Sequence, residues 1–304
     1  MRRKDEHSYP INQCALYRLT TKRKLASLLN LTNEKLLWLA EQGDKNYRTF
    51  VITPDGRKSR TVEQPKKELE HVHSRLFDLL RRVEAPEYLY SGVRGRSYVT
   101  NASQHIGCHN LAKLDIKAFY PSTTTRNVYY FFRDTLQCAP DVAGILASLT
   151  TYDGHVPTGS CLSQVLAFYA HYDMFNEIHN LSVSRGVTMT CYVDDLTFSG
   201  RAVSRGFLFE IKKLIHQRGL GYHKECFYTK GQAKLVTGVI IKGDDIKAPN
   251  RLQLAIHQGV AKLPTSSIVK PLRSLVGRCN AAFQIEGRFK IVATRVRRVL
   301  SKHE

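Results

Sequence analysis

The chain has 304 residues, 42% of them hydrophobic, and a formal net charge of +20. That length gives room for about two domains with substantial cores, and no run of about 18 apolar residues offers a membrane span. A positive charge this large points to a polyanionic partner such as nucleic acid. The charge is uneven, for residues 270–304 carry nine Lys or Arg against two acids, Glu286 and Glu304. Seven cysteines, none in a Cys-x-x-Cys pair, speak against a disulfide framework and for a reducing cytosol. The N-terminus opens Met1-Arg2-Arg3-Lys4 but continues Asp5-Glu6-His7, where a signal peptide needs an apolar stretch.

Residues 21–42 read as two short helices, with Leu25, Leu28 and Leu29 on one apolar face and Leu36, Leu37, Leu39 and Ala40 on the next. Residues 47–63 read as a hairpin turning at Thr53-Pro54-Asp55-Gly56. Pro65 then sits near the start of a charged helix through Arg82, with Leu69, Val72, Leu76, Phe77 and Leu80 inward. A buried strand is expected at 110–116, helices near 124–136 and 140–150, and one long apolar helix over about 161–180. A hairpin follows at 187–199, a helix near 203–218, and strands near 221–228 and 234–241. The remainder looks helical. Strand, helix, hairpin, helix and strand make a split βαβ arrangement.

The chemistry concentrates in Cys191-Tyr192-Val193-Asp194-Asp195-Leu196-Thr197-Phe198. Adjacent acids between strand-forming residues repel, and divalent cations would relieve that repulsion. Asp115 closes the apolar run from Leu111 to Leu114. A strand-end acid beside a hairpin-tip pair can hold two Mg²⁺ roughly 3.5–4 Å apart. Mg²⁺ prefers oxygen donors and usually takes one or two carboxylates together with substrate phosphates and water.

Asp115-x-x-x-Phe119-Tyr120 and Tyr192-x-Asp194-Asp195, in this order and about 80 residues apart, resemble the palm signatures of reverse transcriptases. The resemblance covers about residues 45–245. It implies an α+β fold, a right-hand polymerase with fingers, ferredoxin-like palm and small helical thumb. N-terminal helices and fingers would occupy 1–110, the palm 111–245 with a fingers segment at about 123–160, and a basic thumb 246–304. It further implies that Asp115 and Asp194 bind both Mg²⁺ ions, that Asp195 supports them, and that the Ile116 carbonyl touches a metal. Tyr120 would lie under the sugar, where a bulky ring clashes with a 2′-OH and selects dNTPs.

Asn101-Ala102-Ser103-Gln104-His105 and Val236-Thr237-Gly238 look like the Asn-Ala-x-x-His and Val-Thr-Gly elements of retron reverse transcriptases. His105-x-x-Cys108-His109 has no second ligand pair that would make a zinc site. The segment Val156-Pro157-Thr158-Gly159-Ser160 is similar to the family's nucleotide-facing Pro-Gln-Gly stretch, with Thr158 in place of Gln. There Gly159 permits close backbone approach. Arg60, with Arg57 and Lys58, resembles the fingers cations that hold the triphosphate. Lys224 stands near the position that offers a proton to leaving pyrophosphate, although His223 replaces the usual Asn and Cys226 the usual Lys. Arg288, Lys290, Arg295, Arg297 and Arg298 alternate with apolar residues, as in a basic thumb helix gripping nucleic acid, with Asn101, His105, Tyr192 and the 236–238 element as further contacts.

A retron enzyme implies more. The template would be a cognate structured noncoding RNA, primed from an internal guanosine 2′-OH. The product would be branched RNA–DNA (msDNA), made in the bacterial cytoplasm. The setting would be anti-phage defence with an effector protein. A rival from another class is a nucleoprotein scaffold, antitoxin-like, that restrains the effector by binding alone. A group II intron-like reverse transcriptase is a third reading, for which the stretch after residue 245 is short.

Overall fold

A computed structural model describes residues 8–53, 59–262 and 269–301. The turn at Pro54-Asp55-Gly56, the cations Arg57 and Lys58, and Lys302 lie outside the described residues. In chain order the elements are α1 (Lys22–Leu28), α2 (Asn33–Gln42), β1 (Tyr47–Ile52), β2 (Arg60–Pro65), α3 (Lys67–Leu80), α4 (Tyr98–Ser103) and β3 (Asn110–Ile116). Helices α5 (Phe119–Ser122), α6 (Thr125–Tyr130), α7 (Pro140–Thr150), α8 (Ser163–Ala170) and α9 (Tyr172–Ser184) follow. Then come β4 (Thr188–Tyr192), β5 (Asp195–Gly200), α10 (Arg205–Gln217), β6 (Tyr222–Tyr228), β7 (Lys234–Val236), β8 (Val239–Lys242) and β9 (Asp245–Lys247). The chain closes with α11 (Asn250–Ala261), α12 (Val269–Ile285) and α13 (Lys290–Leu300). The fold is mixed α+β, as expected.

The chain divides into two compact units, and neither is continuous in sequence. One comprises Met1–Arg94, Asp115–Leu181 and Phe209–His223. Its first helices start where the hydroxyls of Thr21 and Thr32 accept the Lys24 and Lys35 backbone N–H groups, relieving orphan donors of the first turn. Strands β1 and β2 pair antiparallel from Tyr47 opposite Pro65 to Ile52 opposite Arg60. Pro65 therefore ends a strand, and α3 begins at Lys67, two residues later than Pro65 suggested. Leu69, Val72, Leu76, Leu79 and Leu80 form the buried stripe of α3 at helical spacing, in a core that also holds Leu16, Leu25, Leu36, Phe132 and Phe175.

Two local departures from the periodic reading occur here. The expected 124–136 helix is α6 followed by a π-helical turn at Phe131–Thr135. The expected long helix over 161–180 is broken at His171, whose backbone leaves the helical region (φ −120°, ψ 21°). Its buried ring lies 3.2 Å from the Thr123 hydroxyl.

The second unit comprises Gly95–Leu114, Ser182–Leu208 and Lys224–Glu304. It contains the four-stranded sheet of order β4-β5-β3-β6, in which β3 and β6 each reach the other unit only with their end residues. A second sheet, β7-β8-β9, corrects the expectation of one strand over 234–241. Val236 pairs with Val239, so Thr237 and Gly238 are the loop of a two-residue hairpin. Both have positive φ, 44° and 87°, the requirement of a type I′ turn, which Gly meets at no steric cost. The core of this unit gathers Leu111, Val236, Val239, Ile241, Ile256, Leu272, Leu275, Cys279 and Val296, joining the small sheet to the C-terminal helices. No described helix is long and apolar enough to cross a membrane.

Buried imidazoles make this fold sensitive to acid. His73 Nε2 lies 2.7 Å from the Leu149 carbonyl and Nδ1 2.6 Å from the Ser160 hydroxyl. The carbonyl can only accept, so Nε2 carries the proton and Ser160 donates to Nδ1. Burial lowers the pKa of His73 to about 4. Burial, with the nearby Arg218 charge, does the same for His171. Both rings are neutral when folded and gain protons on unfolding below about pH 6.5. Their stabilisation is complete above about pH 6.5 and declines as pH falls toward about 4. Urea unfolding at pH 7.5 and pH 5 should show a loss of up to about 2 kcal/mol per imidazole. An unchanged midpoint would contradict the neutral, buried assignment.

Candidate active site

Asp115 follows Leu114 at the end of β3, where the alternation of the strand leaves it 14% exposed between buried Leu114 and Ile116. Its Oδ1 lies 3.3 Å from His223 Nδ1. The neighbouring backbone fixes this pairing, since the Lys117 N–H donates to the Gly221 carbonyl at 2.9 Å. Beyond Lys117, Ala118 takes a left-handed conformation (φ 48°) and starts α5, which buries Phe119 and leaves Tyr120 half-buried beside it, ring centroids 5.9 Å apart. His223 thus stands where the resemblance leads one to expect Asn, and it contacts the strand-end acid.

Asp194 and Asp195 occupy a tight hairpin. Strands β4 and β5 pair from Thr188 opposite Ser199 to Tyr192 opposite Asp195, leaving Val193 and Asp194 as the connection. Val193 has φ 61°, a costly conformation for a β-branched residue. Strain of this kind persists where surroundings over-determine it, often at functional sites. Beneath the tip, burial pushes the Cys191 thiol pKa up and the charges of Asp194 and Asp195 push it further. The negative field at the tip is therefore felt by its own neighbours, and an oxygen-rich anionic tip suits a hard divalent cation. Among the described residues no group of three or more His, Cys, Asp or Glu side chains is arranged to hold a metal by itself. Mg²⁺ often takes only one or two carboxylates and completes its shell with phosphate and water, so the donor set remains suited to it.

The segment around Thr158 is fastened to β2. The Thr158 N–H donates to Glu63 Oε2 at 3.0 Å, and its hydroxyl donates to the Thr61 carbonyl at 3.1 Å. The Gly159 N–H donates to the Glu63 carbonyl, also at 3.0 Å. His155 Nε2 lies 3.3 Å from the same carboxylate. The close approach that requires Gly159 is thus to β2, for an added Cβ would stand 2.6 Å from the Glu63 carbonyl oxygen. Arg60 is exposed on this strand. Glu63 and His155 were missed from sequence because the contact joins residues 92 apart with no motif to announce it.

Asn101 and His105 are 1% and 0% exposed, so both side chains act on the protein interior. The Asn101 amide donates to the Thr237 hydroxyl at 3.3 Å, and that hydroxyl donates to the Tyr98 carbonyl at 2.9 Å. The two elements that looked retron-like therefore meet. His105 bridges the Thr190 and Ser199 hydroxyls at 2.8 and 2.7 Å, and burial lowers its pKa to about 3. Lys224 is exposed on β6 with φ 52°.

The basic C-terminal residues divide. Arg288 reaches Gln253 at 3.0 Å and Glu286 at 2.8 Å, and Arg297 reaches Asn280 at 2.5 Å. Lys290, Arg295 and Arg298 line an open recess on one face of α13 with Ile291, Thr294 and Val299.

No protein-family model matches the chain. Retron Se72 reverse transcriptase of Salmonella heidelberg is 27% identical over 195 residues, covering 63% of this chain and 52% of that protein. Retron Ec86 reverse transcriptase of Escherichia coli is 26% identical over 232 residues, 73% of this chain and 71% of that protein. Retron Mx162 reverse transcriptase of Myxococcus xanthus is 25% identical over 288 residues, 80% and 59% of the respective lengths. The chain is similar to retron reverse transcriptases, as its motifs suggested, and its match to the first of these spans about half of that protein's length.

Gly159→Ala should destabilise the protein by about 1–3 kcal/mol in urea unfolding, the usual cost of overpacking. Gly144→Ala, in α7 with nothing within 4 Å of the added Cβ, should be neutral or stabilising by up to about 1 kcal/mol. Equal effects at the two positions would contradict the contact with β2.

Proposed function

We propose that the protein is an RNA-directed DNA polymerase of the retron type, using two Mg²⁺ ions and dNTPs. The observation that carries the proposal is the occurrence of Asp115 on β3 and of Asp194 and Asp195 at the β4–β5 tip, within the reverse transcriptase motifs of a chain similar to retron reverse transcriptases. The sheet β4-β5-β3-β6 is read as a ferredoxin-like palm, residues 1–110 as N-terminal helices and fingers, and residues 246–304 as the thumb. Asp115 and Asp194 hold the cations, Asp195 supports them, and the Ile116 carbonyl is a further ligand. Bound Mg²⁺ supplies charge neutralisation at the α-phosphate and a lowered pKa for the attacking hydroxyl.

The chain's own residues do the rest. Tyr120 excludes the 2′-OH of a ribonucleotide. Arg60 holds the triphosphate, with Thr158 and Gly159 shaping the nucleotide-facing segment from their anchorage on β2. Lys224 offers a proton to pyrophosphate. Tyr192 and the 236–238 turn face nucleic acid, and Lys290, Arg295 and Arg298 bind phosphates while Arg288 and Arg297 also brace the thumb. Asn101 and His105, being buried, serve nucleic-acid binding through the elements they hold. The template proposed is a structured noncoding RNA primed from a guanosine 2′-OH, the product msDNA, and the setting anti-phage defence beside an effector in a bacterial cytoplasm.

Purified protein with Mg²⁺, dNTPs and primed RNA should extend DNA, and Asp115→Ala should abolish extension. Extension by that variant would refute the metal assignment. Charge removal at Arg295 and Arg298 should weaken RNA binding at low salt and flatten the log–log salt dependence by roughly one unit for each phosphate no longer neutralised. Unchanged slopes would remove α13 from the interface.

A further inference from the structure

We propose that His105 is a positioning residue for the Asp194-Asp195 hairpin, one end of a brace that runs through α4 to the Val236-Thr237-Gly238 turn. The proposal rests on the reading of Asp194 and Asp195 as metal-binding carboxylates. Thr190 on β4 and Ser199 on β5 are a diagonal pair across the hairpin, since Thr190 faces Thr197 and Ser199 faces Thr188. Each stands four residues from an aspartate, Thr190 from Asp194 and Ser199 from Asp195. Strand alternation puts Thr190, Tyr192, Asp195, Thr197 and Ser199 on one face of the hairpin. That face is polar where a core-facing strand is usually apolar, yet Thr190, Thr197 and Ser199 are all buried. His105 is the group that serves it, one ring nitrogen to each strand.

A neutral imidazole has one donor and one acceptor, so in either tautomer the ring accepts a hydrogen bond from one strand's hydroxyl and donates one to the other's. The two bonds fix β4 against β5 more narrowly than apolar packing would, because their directions are set by the plane of one rigid ring. The strained Val193 linkage next to Asp194 needs such an outside constraint. At its other end α4 is held in two places. Asn101 is bonded to the Thr237 hydroxyl, and the Tyr98 hydroxyl donates to the Ala281 carbonyl of α12 at 3.2 Å. The capping box of Ser97 and Thr100 closes the start of this six-residue helix. The turn, the helix and the catalytic hairpin are therefore one connected piece of the second unit. The bland alternative is that His105 merely satisfies two buried hydroxyls and affects stability alone.

Groups that orient metal-binding side chains typically govern tenfold to a hundredfold in metal affinity or activity, so about that range is expected here. The full chain is titrated with Mn²⁺ by electron paramagnetic resonance, and kcat and the dNTP KM are measured on primed RNA. His105→Leu should weaken Mn²⁺ binding about tenfold or more and lower kcat in parallel. His105→Gln, whose amide again offers both a donor and an acceptor, should recover much of both. Thr237→Val, which cuts the far end of the brace, should move both readouts the same way by less. Wild-type Mn²⁺ affinity and kcat in folded His105→Leu, whatever its melting temperature, would overturn the proposal. If that variant does not fold, Ser199→Ala, which removes one bond of the two, is judged by the same readouts and the same criterion. A wild-type protein that binds no Mn²⁺ and extends no primer would sink the underlying metal reading, and the brace with it. A failure of the brace alone appears only as variants that match an active wild type.

Discussion

Two carboxylates on consecutive residues at the end of a tight hairpin repel one another. Each disfavours the ionised form of the other. The burden is increased by Val193, a β-branched residue at φ 61° immediately before them. A two-stranded hairpin is marginal by itself, so this tip depends on what surrounds it. Around it stand a second pair of strands in the same sheet, a buried thiol beneath the tip, and a buried imidazole that clasps both strands.

The first unit solves a different problem by similar means. Its hairpin β1–β2 has a mostly exposed first strand, with Phe50, Val51 and Ile52 all exposed, and it draws rigidity from the loop that crosses β2. Glu63 is central there. It accepts from the Thr158 backbone, meets His155, and its own carbonyl receives the Gly159 N–H. Thr158 stands where the resembled family has Gln, and its hydroxyl adds a bond to the Thr61 carbonyl. Beneath the same loop, His73 accepts from Ser160 and donates to Leu149. Both units thus use buried histidines to tie a loop or hairpin to the scaffold, His73 at Ser160 and His105 at Thr190 and Ser199, and their lowered pKa values predict a fold that weakens in acid.

Much of this was legible from residue order. The faces of α3 and α10, the β1–β2 pairing, the acid hairpin and the basic C-terminal helices all follow from periodicity and turn chemistry. The break at His171 was not, because Leu162, Leu166, Phe168 and Phe175 keep an apolar helical pattern across it, and the contact of its ring with Thr123 joins residues 48 apart. The turn at Thr237-Gly238 was hidden by the β-forming residues on both sides, which read as one continuous strand. Strand β9 has three residues, too few for a period. In the site, the acids and Tyr120 are announced by motif. The service groups are not, since Glu63, His73 and His155 act through partners 76–95 residues away. Asn101 and His105 were visible as a motif, but burial alone reveals that they work inward.

Charge at the β4–β5 tip and at Asp115 is the feature on which the polymerase reading stands. The most direct measurement is the number of Mn²⁺ ions bound per protein in a stalled complex, with primed RNA whose primer lacks the attacking hydroxyl and with a matched dNTP present. Two ions are predicted, both lost when Asp115 and Asp194 are changed together to Asn. Fewer than two ions in the wild-type complex, or two retained in the double variant, would contradict it.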